Sequence, residues 1–220
     1  MVMKATLSST RRARERQQIR EQILDVAREL FAAEGYDAVT MRRVARQIEY
    51  TPPVIYQHFA DKATLMREIC VHDFRVMARA FNELAGVADP VERLRRLGMR
   101  YVEFALTHPN HYRLMFMTPR PADGTVLHKD GLMEPGEKGN PELDGYAFLR
   151  AAVDDAFRAR RFNPRLTDPA LVAHVLWQGL HGIVSMHIAR SDDDWVEWRD
   201  PRETALLHIE TTLRGLTCDA

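Results

Sequence analysis

The sequence contains little cysteine and no long apolar run. Only Cys70 and Cys218 occur among its 220 residues, too far apart in sequence to give the spacing of a metal or redox site. No stretch approaches the ~18 apolar residues of a membrane span, and residues 1–20 lack the apolar segment of a secretory signal. These absences predict a cytoplasmic protein of one or two domains, with no membrane partner, no metal and no cofactor.

Charge of one sign is also lacking, because 31 Lys and Arg residues balance 31 Asp and Glu residues. The balance hides a basic N-terminus: residues 1–20 hold 6 basic side chains and 1 acidic one. Such a segment on a neutral chain predicts contact with a polyanion at this end, and a solvated tail is the alternative. The charge pattern leaves both open.

Strand-like alternation is absent as well, and apolar residues recur at helical spacing. In five places a helix-capping residue precedes a proline, which suits the first turn of a helix. These pairs are Thr51-Pro52, Asp89-Pro90, Asn140-Pro141, Asp168-Pro169 and Asp200-Pro201. The pattern predicts an all-α protein with about nine helices, near residues 17–34, 41–47, 51–58, 62–85, 90–107, 110–117, 141–160, 169–189 and 201–216. Residues 118–140, rich in proline and glycine, are predicted to form a lid or a binding loop or to be disordered.

Residues 40–59 carry the most informative pattern. Thr40 caps a short helix whose Val44 and Ala45 face inward, a brief turn follows, and Thr51 caps a second short helix that contains Ile55. Two short helices joined by about three residues are typical of a helix-turn-helix. The second helix of this motif enters the major groove of DNA.

The motif resembles the DNA-binding domain of TetR-family transcriptional repressors over about residues 17–65. The resemblance rests on Gly35-Tyr36, Thr40-Met41-x-x-Val44-Ala45 and Thr51-x-x-x-Ile55-Tyr56-x-His58-Phe59-x-Asp61-Lys62-x-x-Leu65. One departure is Glu49, at a turn position usually held by glycine in this family, so we expect a strained or reshaped turn. The resemblance implies a flexible basic arm at 1–16, a helix-turn-helix domain at 17–77, and a ligand-binding and dimerisation domain at 78–220.

The resemblance also implies roles for individual side chains on double-stranded operator DNA. Arg42 matches a position that can reach a guanine, and Gln57 one that can pair with adenine. Pro52, Pro53 and Val54 match the leading face of the recognition helix, where they would contact thymine methyls. The remaining matched positions would contact phosphates, which fix the register without reading the sequence; they are Thr51, Tyr56, His58 and Lys62. For Tyr56 and His58, packing within the three-helix unit is the alternative.

The C-terminal part resembles a TetR subfamily with a Trp-x-Gly-x-His-Gly signature, here at residues 177–182. That resemblance implies a homodimer and a small, largely apolar effector. The expected ligand residues are Phe104, Tyr112, Phe116, Trp177, Gln178 and His181, within an aromatic surface that also includes Tyr101. The expected dimer-interface residues are Gly179, Ile183, Ile209 and Leu213. For both sets an ordinary intrachain core is the alternative.

The sequence therefore predicts a DNA-binding transcriptional regulator, a repressor released from its operator by an effector, and not an enzyme. It lacks a His-Glu-x-x-His motif, a Gly-rich phosphate loop and a Gly-x-Ser-x-Gly motif. Two alternatives stay open. One is a metal-responsive regulator that uses His174, His181 and His187, which share one predicted helix. The other is an all-helical interaction scaffold that does not bind DNA.

Overall fold

The structure is a computed structural model that describes residues 2–118 and 136–218, with side chains from residue 11 onward. These residues form nine α helices and contain no strand, which confirms the all-α prediction. Most of the predicted loop at 118–140 lies outside the described residues. The helices are α1 (Val2–Glu34), α2 (Met41–Gln47), α3 (Pro52–Tyr56), α4 (Lys62–Asn82), α5 (Pro90–Thr107), α6 (Pro109–Tyr112), α7 (Gly145–Arg158), α8 (Pro169–Arg190) and α9 (Pro201–Leu216).

The chain divides into two compact units within α4, between Val71 and His72. The first unit contains α1 to α3 and the beginning of α4. The second contains the rest of α4 and α5 to α9. This division falls earlier in α4 than the predicted domain boundary between residues 77 and 78, which stays a prediction.

The helix α1 begins far earlier than predicted. It extends back to Val2, so residues 2–16 are helical where a flexible arm is predicted, and the predicted start near residue 17 is wrong. The reason lies in composition: these residues include no glycine or proline, and the Arg, Ala, Lys and Glu among them are good helix formers. Arg11 and Glu15 add an ion pair of 2.7 Å across one helical turn.

Three of the five predicted capping residues bond directly to their helices. Asp89, Asp168 and Asp200 each accept hydrogen bonds from first-turn N–H groups of α5, α8 and α9. Such bonds satisfy donors that have no partner within the helix. Thr51 stands at the N-cap of α3, although its side chain makes no capping hydrogen bond.

The helix start predicted at Asn140-Pro141 is wrong. The Asn140 carboxamide oxygen accepts from the N–H of Glu142 at 3.0 Å and closes a tight turn instead. The helix α7 begins only at Gly145, where Asp144 caps it by accepting from two N–H groups of its first turn. Asparagine favours turns and helix caps for the same reason, its short polar side chain, so the residue type fits either structure.

In the first unit, α1, α2 and α3 share one small core. Ile23 and Phe31 of α1, Val44 of α2 and Ile55 of α3 are all buried. Ala45 is also buried where α2 meets α3, and its small side chain lets the two helices approach each other. This packing fixes the position of α3, which is too short to be stable alone.

A left-handed residue closes the turn between α2 and α3. The N–H of Glu49 donates to the carbonyl of Arg46 at 3.2 Å, and the N–H of Tyr50 donates to the carbonyl of Ala45 at 2.9 Å. This pair of bonds defines a Schellman helix C-terminus, whose left-handed residue is usually glycine. Glu49 takes that position with a φ of 60°. The turn therefore forms with its regular hydrogen bonds, but with a strained residue.

In the second unit, α5, α7, α8 and α9 pack around a common core. Gly98 allows α5 to approach α9, because a Cβ at this position would lie 2.8 Å from the Cδ1 of Ile209. Ile209 and Leu213 are both buried within this core. Their assignment to the dimer interface stays a prediction that this geometry does not favour, because side chains covered by their own chain offer little surface to a partner.

Replacing Glu49 by glycine should stabilise the protein. The left-handed conformation costs a non-glycine residue about 1–2 kcal/mol, and the entropy that glycine loses on folding offsets part of the relief. We expect the free energy of unfolding to rise by about 0.5–1 kcal/mol in chemical denaturation. Glu49→Ala removes the carboxylate but keeps the Cβ, so it should bring no comparable gain. Equal gains in both variants would assign the effect to charge rather than to backbone strain.

Candidate nucleic-acid interface and effector site

The helix-turn-helix buries its apolar residues and leaves a polar face in solvent. Met41, Val44 and Ala45 of α2 and Ile55 of α3 point inward. The predicted DNA-contact residues lie outside: Arg42, Thr51, Pro53, Tyr56 and Gln57 are exposed, and Pro52 and Val54 are half-buried. Arg42 has no ion-pair partner among the described residues, whereas Arg43 binds Glu34 at 2.9 Å. The guanidinium of Arg42 is therefore available to a ligand.

Two residues predicted to contact phosphates, Lys62 and His58, are less exposed than Thr51 and Tyr56. Lys62 Nζ donates to the carbonyl of Tyr36 at 2.9 Å and lies 4.1 Å from the centroid of its ring. His58 is half-buried, and burial, followed by the charges of Arg16 and Arg20, lowers its pKa. His58 is therefore neutral near pH 7. The phosphate contacts of Lys62 and His58 stay predictions that this geometry does not favour.

Arginines of α1 lie beside the C-terminal end of α3. Arg16 Nη2 donates to the carbonyl of Gln57, the C-cap residue of α3, at 3.3 Å. Arg20 forms an ion pair with Glu68 and lies 5.0 Å from the centroid of the Phe59 ring. Sequence reasoning placed Arg16 in a flexible arm and missed both contacts. The available signal was the spacing of four residues between the two arginines, which places them on the same side of a helix.

In the second unit, four polar aromatic side chains form a connected cluster. The hydroxyls of Tyr101 and Tyr112 lie 2.7 Å apart, and His181 Nδ1 lies 2.5 Å from the hydroxyl of Tyr112. Trp177 Nε1 donates to the hydroxyl of Tyr101 at 3.2 Å. The sequence contributes these groups from α5, α6 and α8, so the cluster joins three helices.

The environment of the cluster keeps its members uncharged. Burial raises the pKa of Tyr101 to about 12, and it raises the pKa of Tyr112 as well. Burial also lowers the pKa of His181. All three side chains are therefore neutral near pH 7. Neutral His181 can accept a hydrogen bond from the Tyr112 hydroxyl at Nδ1, which leaves its Nε2 as the donor.

The structure brings together four of the six predicted ligand residues. Tyr112, Trp177 and His181 belong to the cluster, and the Phe116 ring packs against all three. Phe116 lies in a π-helical turn, Arg113–Met117, that continues α6; such turns are frequent at functional sites. The other two residues lie apart from the cluster. Phe104 packs beside His108 and His111, and Gln178 is exposed.

The helices α8 and α9 each carry exposed apolar side chains in addition to their buried face. Those on α8 are Leu171, Val175 and Met186, and those on α9 are Leu206 and Leu207. Of the other two predicted interface residues, Ile183 is half-buried. Gly179 lies against α9, where a Cβ would come 2.1 Å from His208 Nε2. A side chain at Gly179 would therefore require the His208 ring to move.

Neither a metal site nor a membrane span is found in the described part of the chain. No group of three or more His, Cys, Asp and Glu side chains there is arranged to hold a metal ion. No helix within those residues combines the length and the apolar character needed to cross a bilayer.

Two protein-family models match the sequence. The model described as "Bacterial regulatory proteins, tetR family" matches residues 23–69, which include the helix-turn-helix. The model described as "Tetracyclin repressor-like, C-terminal domain" matches residues 94–211, more than half of the chain. The chain belongs to the TetR family.

Curated relatives of this TetR-family protein are regulators by name. It is 31% identical over 74 residues to the HTH-type transcriptional regulator UidR of Escherichia coli K12, across 33% of this chain and 38% of that protein. It is 29% identical over 119 residues to the regulator HbdR of Aromatoleum sp., across 51% of this chain and 50% of that protein. The repressor Rv1474c of Mycobacterium tuberculosis is 42% identical over 59 residues, 27% of this chain and 32% of that protein. The matches thus span about a third to a half of these relatives.

Solved structures share the fold over most of the chain. The fatty acid degradation regulator FadR of Bacillus halodurans has a TM-score of 0.73 and 15% identity, across 89% of this chain and 95% of that one. A regulatory protein of the tetR family from Rhodococcus RHA1 has a TM-score of 0.67 and 21% identity, across 91% and 98%. At these identities the similarity concerns the fold alone.

Proposed function

We propose that this TetR-family protein binds operator DNA as a homodimer and represses transcription until a small molecule releases it. One observation carries the proposal: Arg42, Tyr56 and Gln57 lie in solvent on two short helices whose buried sides fix their positions. Named relatives include the repressor Rv1474c and the activator FasR of Mycolicibacterium smegmatis. We favour repression, because occupation of an operator is sufficient for it.

The residues on the exposed face have different roles in DNA recognition. Arg42 would donate two hydrogen bonds to a guanine, and Gln57 would pair with an adenine. Pro53 and Val54 have no side-chain donor, so they would contact thymine methyls. Thr51 and Tyr56 would bind phosphates and fix the register of the helix in the groove.

Arg42→Ala should weaken binding to a selected operator by about 1–3 kcal/mol and relax the preference at one base pair. Both effects are expected because the alanine side chain cannot donate the two hydrogen bonds that Arg42 would form to a guanine. Mobility shifts measure the affinity for a duplex that the wild-type protein has enriched from a random pool. Sequencing of the fraction that each protein binds from that pool measures the base preference.

Arg190→Ala is the matched control for Arg42→Ala. It removes the same charge from an exposed position at the end of α8, so it should leave the base preference unchanged. A preference profile of Arg42→Ala identical to that of the wild-type protein would contradict the assignment to a base.

The exposed side of α8 supports the homodimer. Leu171, Val175, Gly182 and Met186 lie within about 60° of one another around the helix, at 100° per residue. This side is distinct from the buried stripe of Val172, Leu176, Leu180 and Val184. An apolar helix face with a glycine in it suits close, self-complementary packing against the same face of a second copy.

Val175→Glu should convert a dimer into a monomer of 25.4 kDa at micromolar concentration, because the carboxylate would be buried in the interface without a partner. Sedimentation measures the mass, and circular dichroism should show unchanged helical content. Leu143→Glu introduces the same charge at another exposed apolar position, outside α8 and α9, and should stay dimeric. A wild-type protein that sediments as a single chain would exclude this interface.

The cluster around Tyr112, Trp177 and His181 supports an effector site. Its rings form an apolar surface, and its hydroxyls and imidazole form a few placed polar groups, as small-molecule sites require. Related folds include a fatty acid degradation regulator and a ketosteroid regulator, so we propose a largely apolar molecule with one polar group. Such a molecule must bind one arrangement of the helices better than the other, because equal affinity shifts nothing.

A screen of fatty acids, acyl-CoA thioesters and steroid ketones for release of bound DNA tests this site. An effector should lower DNA affinity about 5- to 150-fold, which corresponds to a coupling of about 1–3 kcal/mol. Trp177→Ala should bind DNA normally and lose the response, whereas Trp195→Ala, at an exposed position between α8 and α9, should keep it. If the Trp177→Ala variant releases DNA at the same effector concentration as the wild-type protein, the pocket lies elsewhere.

A further inference from the structure

The N-terminal segment of α1 presents two distinct sides. Arg12 and Arg16 are one turn apart and share a side, and Arg16 contacts the carbonyl of Gln57 at the end of α3. Arg11 and Arg14 lie about 140–160° around the helix from Arg16, at 100° per residue. Because the segment is helical, the contact of Arg16 fixes which of these side chains lie next to α3.

The guanidiniums on the α3 side are free to bind an anion. Arg12 and Arg16 are exposed, and neither has an ion-pair partner among the described residues. The single bond from Arg16 to Gln57 uses one of the five N–H donors of its guanidinium. Arg11, on the other side, is engaged with Glu15.

The neighbouring histidine does not supply positive charge at this place. His58 follows α3 directly, but its pKa is lowered by burial and by the charges of Arg16 and Arg20. Its Nδ1 is buried without a hydrogen-bond partner in the described part of the chain. The positive charges that act on His58 beside the end of α3 come from α1, from Arg16 and Arg20.

We infer that Arg12 and Arg16 of α1 form a second binding surface for the phosphate backbone of duplex DNA, next to the recognition helix. The inference rests on the proposed function, since it requires that α3 enter the major groove. The surface carries no base-reading geometry, so it binds DNA of any sequence. Residues 1–20, with 6 basic side chains and 1 acidic one, match the charge of that partner.

The test compares two double variants of the full-length protein that lose the same charge from the same segment. Arg12→Ala/Arg16→Ala removes the α3 side, and Arg11→Ala/Arg14→Ala removes the opposite side. Binding is measured between 50 and 300 mM salt by fluorescence anisotropy. The probes are a duplex enriched from a random pool and an unrelated 40-base-pair duplex.

Loss of two phosphate contacts should reduce the slope of log K against log salt by about 2, and weaken binding about 10- to 100-fold near 0.1 M salt. This loss is expected for Arg12→Ala/Arg16→Ala on both duplexes. The opposite-side variant should keep the wild-type slope. Arg12→Ala alone should reduce the slope by about 1. Arg12 forms no hydrogen bond or ion pair with α3 among the described residues, so this variant separates phosphate binding from any effect of Arg16 on α3.

Equal losses in the two double variants would overturn the inference, because they would indicate general attraction rather than a defined surface. Unchanged binding of Arg12→Ala/Arg16→Ala would also overturn it, while the proposed function would stand. A wild-type protein that selects no duplex and shows no salt-dependent binding would instead contradict the proposed function. A third probe, single-stranded RNA of the same length, tests the other nucleic acid. If the loss in Arg12→Ala/Arg16→Ala appears on this RNA and on neither duplex, the surface binds RNA and the inference is overturned.

Discussion

The first unit depends on the burial of two helices that could not exist alone. The helices α2 and α3 have 7 and 5 residues, well below the length at which a helix is stable in water. They hold their shape because Val44, Ala45 and Ile55 are covered within the unit. Apolar packing on the buried side of these helices thus determines the positions of Arg42, Tyr56 and Gln57 on the exposed side. Even the strained backbone at Glu49 persists because the packing on both sides of the turn requires it.

The sequence allowed the helices and the helix-turn-helix to be predicted, because those features depend on local signals. Capping aspartates before prolines located the starts of α5, α8 and α9. The same kind of signal failed at Asn140, where a turn competes with a cap. The start of α1 could not be located in the same way. Its N-terminal half is basic and polar, and apolar residues at helical spacing, which indicate a helix in a sequence, begin only further along the chain. At Asn140 and at the start of α1, two local structures are close in free energy, and the sequence alone does not show which one forms.

Contacts between distant residues could be predicted only in part. The spacing of Ile209 and Leu213 shows that one face of α9 is covered, but it does not show whether the same chain or a second copy covers it. The Tyr101, Tyr112 and His181 cluster depends on where α5 and α6 place their side chains beside α8. The lowered pKa of His58 similarly depends on burial first and then on the charges of Arg16 and Arg20, which precede it by about four turns of α1 and two further helices. Local pattern carries no information about such distances.

The continuity of α1 gives the N-terminal segment a property that its composition does not suggest. The helix has 33 residues and would measure about 50 Å, and Ile23 and Phe31 lock its rotation by packing in the core. Each residue turns the helix by about 100°. An insertion of one residue between Arg16 and Ile23 would keep every arginine but carry Arg12 and Arg16 away from α3. Helical phase, rather than charge content, is the quantity on which this segment depends.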